Sequence, residues 1–293
     1  MKPQAFIGLL LSALAVATIQ TIPASAALSD DETVIRDVAM TLRDGTTIYT
    51  DVFRPANANA TYPALIAWSP YDKEMGSQWL DDTPDRSRGY VILNPDTRGG
   101  EHSEGNITYW GRQLAEDGYD FFIAAEQPPH LTAIAPWEGL TDLYRHVTTR
   151  GGLPNLGFSE VIATTLPGNN FVEDSSRMTI KESLIAPYWE DKIARLSKID
   201  IPAYIVANYS NQVHTHGTFE GFRHISSPSK WLRVHNSSEW PDYYAEENVE
   251  DLKRFFDRYL KDIDNGWEKT APRLNVPAAD WPVPGVKEQV LYL

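Results

Sequence analysis

The chain of 293 residues contains no cysteine. Disulfides, thiolate nucleophiles and cysteine-ligated metals are therefore excluded together. Positive charge is scarce: 26 Lys and Arg face 40 Asp and Glu, for a net charge of −14. A surface of that sign repels phosphate backbones and anionic lipid, so nucleic acid and membrane surfaces are excluded as partners. Net acidity does not select a substrate. Long apolar runs are missing outside the N-terminus, and the run there, residues 5–17, is too short to cross a bilayer. Also missing is any Gly-x-Ser-x-Gly, the turn that presents a serine nucleophile. The nearest approach, Gly100-Glu101-His102-Ser103-Glu104-Gly105, has one residue too many. Ser103 reads as a loop residue; as a substitute nucleophile it would lack the strand-to-helix setting.

The N-terminus has the form of a secretory signal. Lys2 supplies the basic start, residues 5–17 the apolar core and Ala24-Ser25-Ala26 a small-residue cleavage site. Residues 1–26 are expected to be removed, leaving an extracellular chain from Ala27; an uncleaved anchor is the alternative. Four sequons, at Asn59, Asn106, Asn208 and Asn236, fit a secretory route. Without disulfides such a chain relies on its core, for which about 270 residues are ample. No cofactor is expected. His214 and His216 form a His-x-His pair, but with no third ligand in sight no metal is expected either. Oligomeric state is not encoded in any recognisable way.

Strand and helix signals alternate along the chain. Asp44-Gly45 between two alternating runs predicts a hairpin. Short apolar runs predict strands over residues 63–69, 89–95, 131–136, 201–208 and 230–234. The segment between 95 and 131 carries one helix-like stretch, about residues 108–127. A strand, a crossover and a strand make the unit of a parallel α/β sheet. Asp96 and Arg98 are expected to pair structurally in the turn after 89–95. Residues 187–196 predict a helix with Trp189 in the core. The strongest helix is 247–260, where Val249, Leu252, Phe255, Phe256, Tyr259 and Leu260 form one apolar stripe.

Several motifs occur in one order: Pro70-Tyr71-Asp72-Lys73, the DTRGG…SEG run at 96–105, EDGYD at 116–120, PPHLTAIAPWEG at 128–139 and FFDRYLKDIDNGWE at 255–268. Together they resemble the α/β-hydrolase group of cocaine esterase, X-Pro dipeptidyl peptidase and α-amino-acid ester hydrolase. The resemblance runs from about Val34 to about Pro282. It implies an α/β-hydrolase domain over residues 27–272, with a helical lid over about 140–196. It also implies that 273–293 is the start of a truncated C-terminal β-sandwich domain. The implied fold class is α/β: an incomplete hydrolase sheet with a lid and the stub of a β domain.

The resemblance also assigns roles. Tyr71 matches the tyrosine that donates to the oxyanion hole, a sensible use of a phenol at a strand end. Asn211 occupies the position of the triad acid, where an amide cannot stabilise an imidazolium as a carboxylate does. His235 is the histidine available after the last strand; the alternative is a ring bonded to nearby backbone. No residue matches the nucleophile. After Asp120 the sequence passes straight to what resembles the end of a later helix, so about 30 residues, one strand–turn–helix step, are missing. The expected function is thus a secreted ester or amide hydrolase by lineage, impaired as it stands, with a small ester or peptide as substrate if active. The alternatives are a non-catalytic binding relative, or a mis-spliced or mis-predicted fragment with no function of its own.

Overall fold

The computed structural model describes residues 32–57, 59–69, 73, 88–120, 124–127, 130–165 and 170–270. The expected signal segment, Tyr71, residues 121–123 and the expected β-domain stub lie outside the described residues.

The chain opens with a hairpin of β1 (Glu32–Thr41) and β2 (Thr47–Pro55), paired antiparallel from Glu32↔Pro55 to Thr41↔Thr47. The Asp44-Gly45 turn closes as its chemistry dictates: Gly45 sits at φ 89°, and its N–H donates to the Leu42 carbonyl at 2.9 Å. Next come β3 (Ala64–Ile66) and β4 (Val91–Pro95). β4 is antiparallel to β2 and parallel to β3, giving a four-stranded sheet in the order β1-β2-β4-β3. β3 is shorter than the expected 63–69, although the Ala67 N–H still donates to the Leu93 carbonyl at 3.0 Å.

The helix expected over 108–127 starts later than expected. Residues 107–109 are held extended by backbone bonds from the Ile107 N–H to Phe171 and from the Glu173 N–H to Ile107, each 2.9 Å. Trp110 then turns the chain at φ 53°. Among the described residues of this stretch only α1 (Arg112–Asp120) is α-helical, with one 3-10 turn at Ala124–Glu126.

Residues 140–196 fold as short pieces: a π turn at Tyr144–Thr148, α2 (Gly157–Thr165), α3 (Ser175–Lys181) and α4 (Pro187–Glu190). Asp174 caps α3, accepting from the Arg177 N–H at 2.8 Å. The helix expected to reach residue 196 stops at Glu190; the backbone instead ties the Ala194 N–H to the Thr141 carbonyl at 2.9 Å. Trp189 is fully buried with Leu143 and Val147, as expected of a core residue.

The second half supplies β5 (Ala203–Asn208), α5 (Thr215–His224), β6 (Lys230–His235), α6 (Glu239–Tyr243) and α7 (Glu246–Leu260). β5 and β6 pair in parallel. The run expected as a strand over 131–136 lies parallel to β5 on its other side, bridging Ile134 to Ala203 and Trp137 to Val206. Pro136 has no N–H to add to that ladder.

Among the described residues no backbone ladder joins the two sheets. A shared core does. Leu65, Tyr90 and Ile92 from the first sheet and Ala133, Tyr204 and Val206 from the second pack with Leu252, Phe255, Phe256 and Trp267. The apolar stripe of α7 is thus the element both sheets bury, and each fully buried ring or branched side chain contributes about 1.5–3 kcal/mol.

Candidate functional site

Side chains gather at the carboxyl ends of the parallel segments, where open α/β sheets place their crevices. β6 ends at His235, β5 ends at Asn208, and residues 134–137 run into Glu138. The Glu138 N–H is anchored on the Val206 carbonyl at 2.9 Å. Its φ of 55° is unusual for a residue with a side chain.

The His235 ring is buried between carboxylates. Nε2 lies 3.0 Å from Glu138 Oε1, and Nδ1 lies 3.6 Å from Asp242 Oδ1 and 3.2 Å from Ser237 Oγ. Neither Nε2 nor Oε1 has an aligned hydrogen bond, so the 3.0 Å contact is a close charge–dipole contact with its N–H off line. Asp242 is held by both ends of the Arg233 guanidinium, a two-point pair that spends its charge. The partners of His235 are side chains, not the nearby backbone.

Asn211 is close by and fully engaged. Its carbonyl oxygen accepts from the Val213 and His214 N–H groups at 2.9 and 3.2 Å, shaping the turn into α5. Its amide donates to Glu138 Oε2 at 2.7 Å. Asn208 is equally committed, donating to the Ser237 carbonyl at 2.7 Å and accepting from Ser210.

An open depression of about 400 Å³ lies over these groups. Its walls are amides and hydroxyls from Asn208, Ser210, Asn211, Asn236 and Ser237, with Trp240 at the edge. Among the described residues no charged side chain lines it.

The remaining sequence candidates are placed as follows. Ser103 is buried; its hydroxyl donates to the Asp96 carbonyl at 2.9 Å and accepts from the Tyr49 N–H at 3.0 Å, the work of a structural loop residue. Arg98 does not pair with Asp96, which corrects the expectation. It reaches Asp117 and Asp44, while Asp96 accepts from the Lys73 N–H at 2.8 Å. Its neighbour Gly99, at φ 77°, must be glycine there: an added Cβ would lie 2.6 Å from the Ile107 nitrogen. The rings of His216 and His146 lie with centroids 4.2 Å apart and planes tilted by 39°, and His214 is half-buried beside Glu138. Among the described residues no group of three metal-ligating side chains forms.

Glu138 and Asp242 are the two residues that sequence reasoning passed over. A signal for Glu138 was present: it ends the 131–136 run, as Asn208 ends β5. Asp242 carried none, since its place depends on how α6 folds back under Arg233.

This is a mixed α/β fold that resembles part of a CocE/NonD hydrolase. Two crystal structures of a CocE/NonD family hydrolase from Staphylococcus aureus superpose with TM-scores of 0.78 and 0.75, at 28% and 30% identity. They cover 87% and 86% of this chain, but the chain spans only 57% and 56% of theirs. An α-amino acid ester hydrolase shares the fold at TM-score 0.60 and 13% identity, over 87% of this chain and 58% of that one. Residues 44–122 match the X-Pro dipeptidyl-peptidase (S15 family) model. No curated protein sequence matches. The chain thus resembles the CocE/NonD and X-Pro dipeptidyl-peptidase S15 family of α/β-hydrolases over part of its relatives' length.

Proposed function

We propose that this protein is a secreted relative of the S15 and CocE hydrolases, whose lineage chemistry is acyl transfer on esters or amides, X-Pro bonds included. We further take the chain in its present sequence to be catalytically impaired. The observation that carries this reading is the interval between β3 and residues 134–137. Each borders a sheet, and no ladder among the described residues spans the two. The resemblance calls for a nucleophile-bearing strand between these segments, and the sequence has neither that strand nor a Gly-x-Ser-x-Gly turn. Removing a triad member leaves about 10³–10⁴-fold acceleration over water, and only where binding is intact.

The test is turnover of an activated acetyl ester by the whole purified chain. The expected outcome is a rate indistinguishable from that with His235→Ala. Turnover that a serine-directed phosphonate abolishes would overturn the reading. Secretion is supported by the signal-like N-terminus and by sequon exposure. Asn59, Asn106 and Asn236 are exposed, whereas Asn208 is 4% exposed and hydrogen-bonded. In a glycosylating host the first three are expected to carry glycans and Asn208 none.

A second reading, a non-catalytic binding protein, is favoured by the uncharged polar depression at the strand ends. A third, a mis-spliced or mis-predicted product, is separated by mass spectrometry. Residues 113–145 hold no Lys or Arg before Arg145, so trypsin releases them as one peptide across the Asp120–Phe121 junction. Finding that peptide establishes the shortened chain; finding only a longer one returns the nucleophile to the protein.

A further inference from the structure

We propose that Glu138 is the acid that orients His235, in place of the residue at the Asn211 position. The inference rests on the hydrolase lineage above, but it concerns the acid–imidazole half of the machinery, which can be observed without a nucleophile.

Three independent features converge on Glu138. Its carboxylate is buried, with Oε1 3.0 Å from His235 Nε2. Its other oxygen is clamped by the Asn211 amide at 2.7 Å, which leaves Oε1 turned to the ring. Its backbone is held at φ 55° by the bond from its N–H to Val206, a strained conformation that the surroundings enforce. Strain of this kind, about 1–3 kcal/mol, persists where the rest of the structure over-determines it and clusters at working sites.

The competing carboxylate is committed elsewhere. Asp242 is paired at both oxygens with Arg233 and stands farther from the ring, at 3.6 Å. Asn211 cannot serve either, because its oxygen is spent on two backbone N–H groups. The amide at the expected acid position is therefore a clamp on the carboxylate that replaces it. That explains why a triad position can hold asparagine while the histidine stays paired with an acid.

A carboxylate only accepts hydrogen bonds. With a carboxylate oxygen 3.0 Å from Nε2, the charge–dipole attraction favours the neutral ring that carries its proton on Nε2, toward Glu138, and leaves Nδ1 as the acceptor on the side of Ser237. Glu138 touches no reacting atom; it is a positioning residue.

The test is nitrogen NMR on the whole chain labelled with ¹⁵N-histidine, with the His235 signals assigned by their loss in His235→Gln. The expected result for the neutral ring is a protonated Nε2 and a bare Nδ1, with Glu138→Met giving a mixture of both tautomers. A wild-type ring protonated on Nδ1 would overturn the proposal, as would an unchanged tautomer in Glu138→Met. Should that variant not fold, the wild-type tautomer decides alone. Serine-dependent turnover would defeat the functional reading and leave this one intact; an Nδ1-protonated ring would do the reverse.

Discussion

Arg98 grips Asp117 through two parallel hydrogen bonds, Nε to Oδ2 and Nη2 to Oδ1, each 2.7 Å. The same guanidinium reaches Asp44 at 2.8 Å and the Thr46 hydroxyl at 2.6 Å. One side chain thus fastens the turn after β4 to the hairpin turn and to α1. Asp117 is 2% exposed, so removing it takes the buried two-point partner from Arg98 and leaves Asp44 as its remaining ion partner. Asp117→Ala is expected to lower unfolding stability by about 1.5–3 kcal/mol, the range for hydrogen bonds to a charged group, read from urea titration. Arg98→Lys is expected to be little better, because an ammonium cannot make the two-point contact.

Asp257 on α7 joins that helix to the first sheet. Its Oδ1 accepts from the buried Tyr90 hydroxyl at 2.7 Å and meets Lys261 Nζ at 2.9 Å, while Lys253 pairs with Oδ2. Burial alone would raise its pKa, but the bonds from Lys253, Tyr90 and Lys261 outweigh burial and hold it below the usual value. A carboxylate depressed on folding stabilises above its unfolded pKa, about 3.9, and that stability is lost as pH falls through the lower folded value. Asp257→Asn is therefore expected to be less stable than wild type at pH 7, and the difference is expected to shrink toward about pH 2. Tyr90→Phe is expected to cost about 1.5–3 kcal/mol, since a hydrogen bond to a charged group is lost. Urea midpoints measured across that pH range check both.

What the sequence made legible was local and periodic. The Asp44-Gly45 hairpin, β5 as a continuous apolar run and the stripe on α7 all follow from patterns spanning a few residues. The failures came where distant groups decide. The helix start at Arg112 rather than near Thr108 is set by residues 171–173, and Arg98 chooses partners from the hairpin and α1 over its neighbour Asp96. At the site, the position of His235 was legible from the last strand. Its contact with Glu138 was not, because it spans two strand ends that only parallel packing brings together. Tyr71 lies outside the described residues, and its expected role is implied by the resemblance alone.

Two histidines make the segment around the site sensitive to mild acid. Burial is the main cause of the lowered pKa of His146, reinforced by the neighbouring His216 ring and Arg145 and opposed by Asp142 and Glu220. Burial likewise lowers the pKa of His214, opposed by Glu138. Each ring takes up its proton less readily folded than unfolded. Below the ordinary imidazole value of about 6.5 the unfolded chain gains protons that the folded chain does not, so stability is complete above it and falls as pH drops. Thermal melting is expected at a lower temperature at pH 5.5 than at pH 7.5, with the gap reduced in His146→Gln. An equal gap in that variant would remove His146 from the account.

Gly217 sets how closely α5 approaches the segment that carries Glu138. A Cβ there would stand 3.1 Å from both the Leu140 Cα and the Thr141 nitrogen, and 3.2 Å from the Gly139 oxygen. All three are backbone atoms, which cannot swing aside as a side-chain tip would. Thr218 and Thr141 confirm the fit by reaching across, with Thr218 Oγ1 donating to Gly139 at 3.0 Å and Thr141 Oγ1 to Gly217 at 3.2 Å. Helix propensity alone favours Gly217→Ala by about 1 kcal/mol. The contacts oppose it: forcing extra atoms into a packed region costs about 1–3 kcal/mol. The net expectation is a loss of stability, and with it a shift of residues 139–141 that pulls Glu138 away from His235. Urea titration reads the first effect and the ¹⁵N signals of His235 read the second. A stabilised variant with an unchanged ring signature would show that the backbone yields there after all.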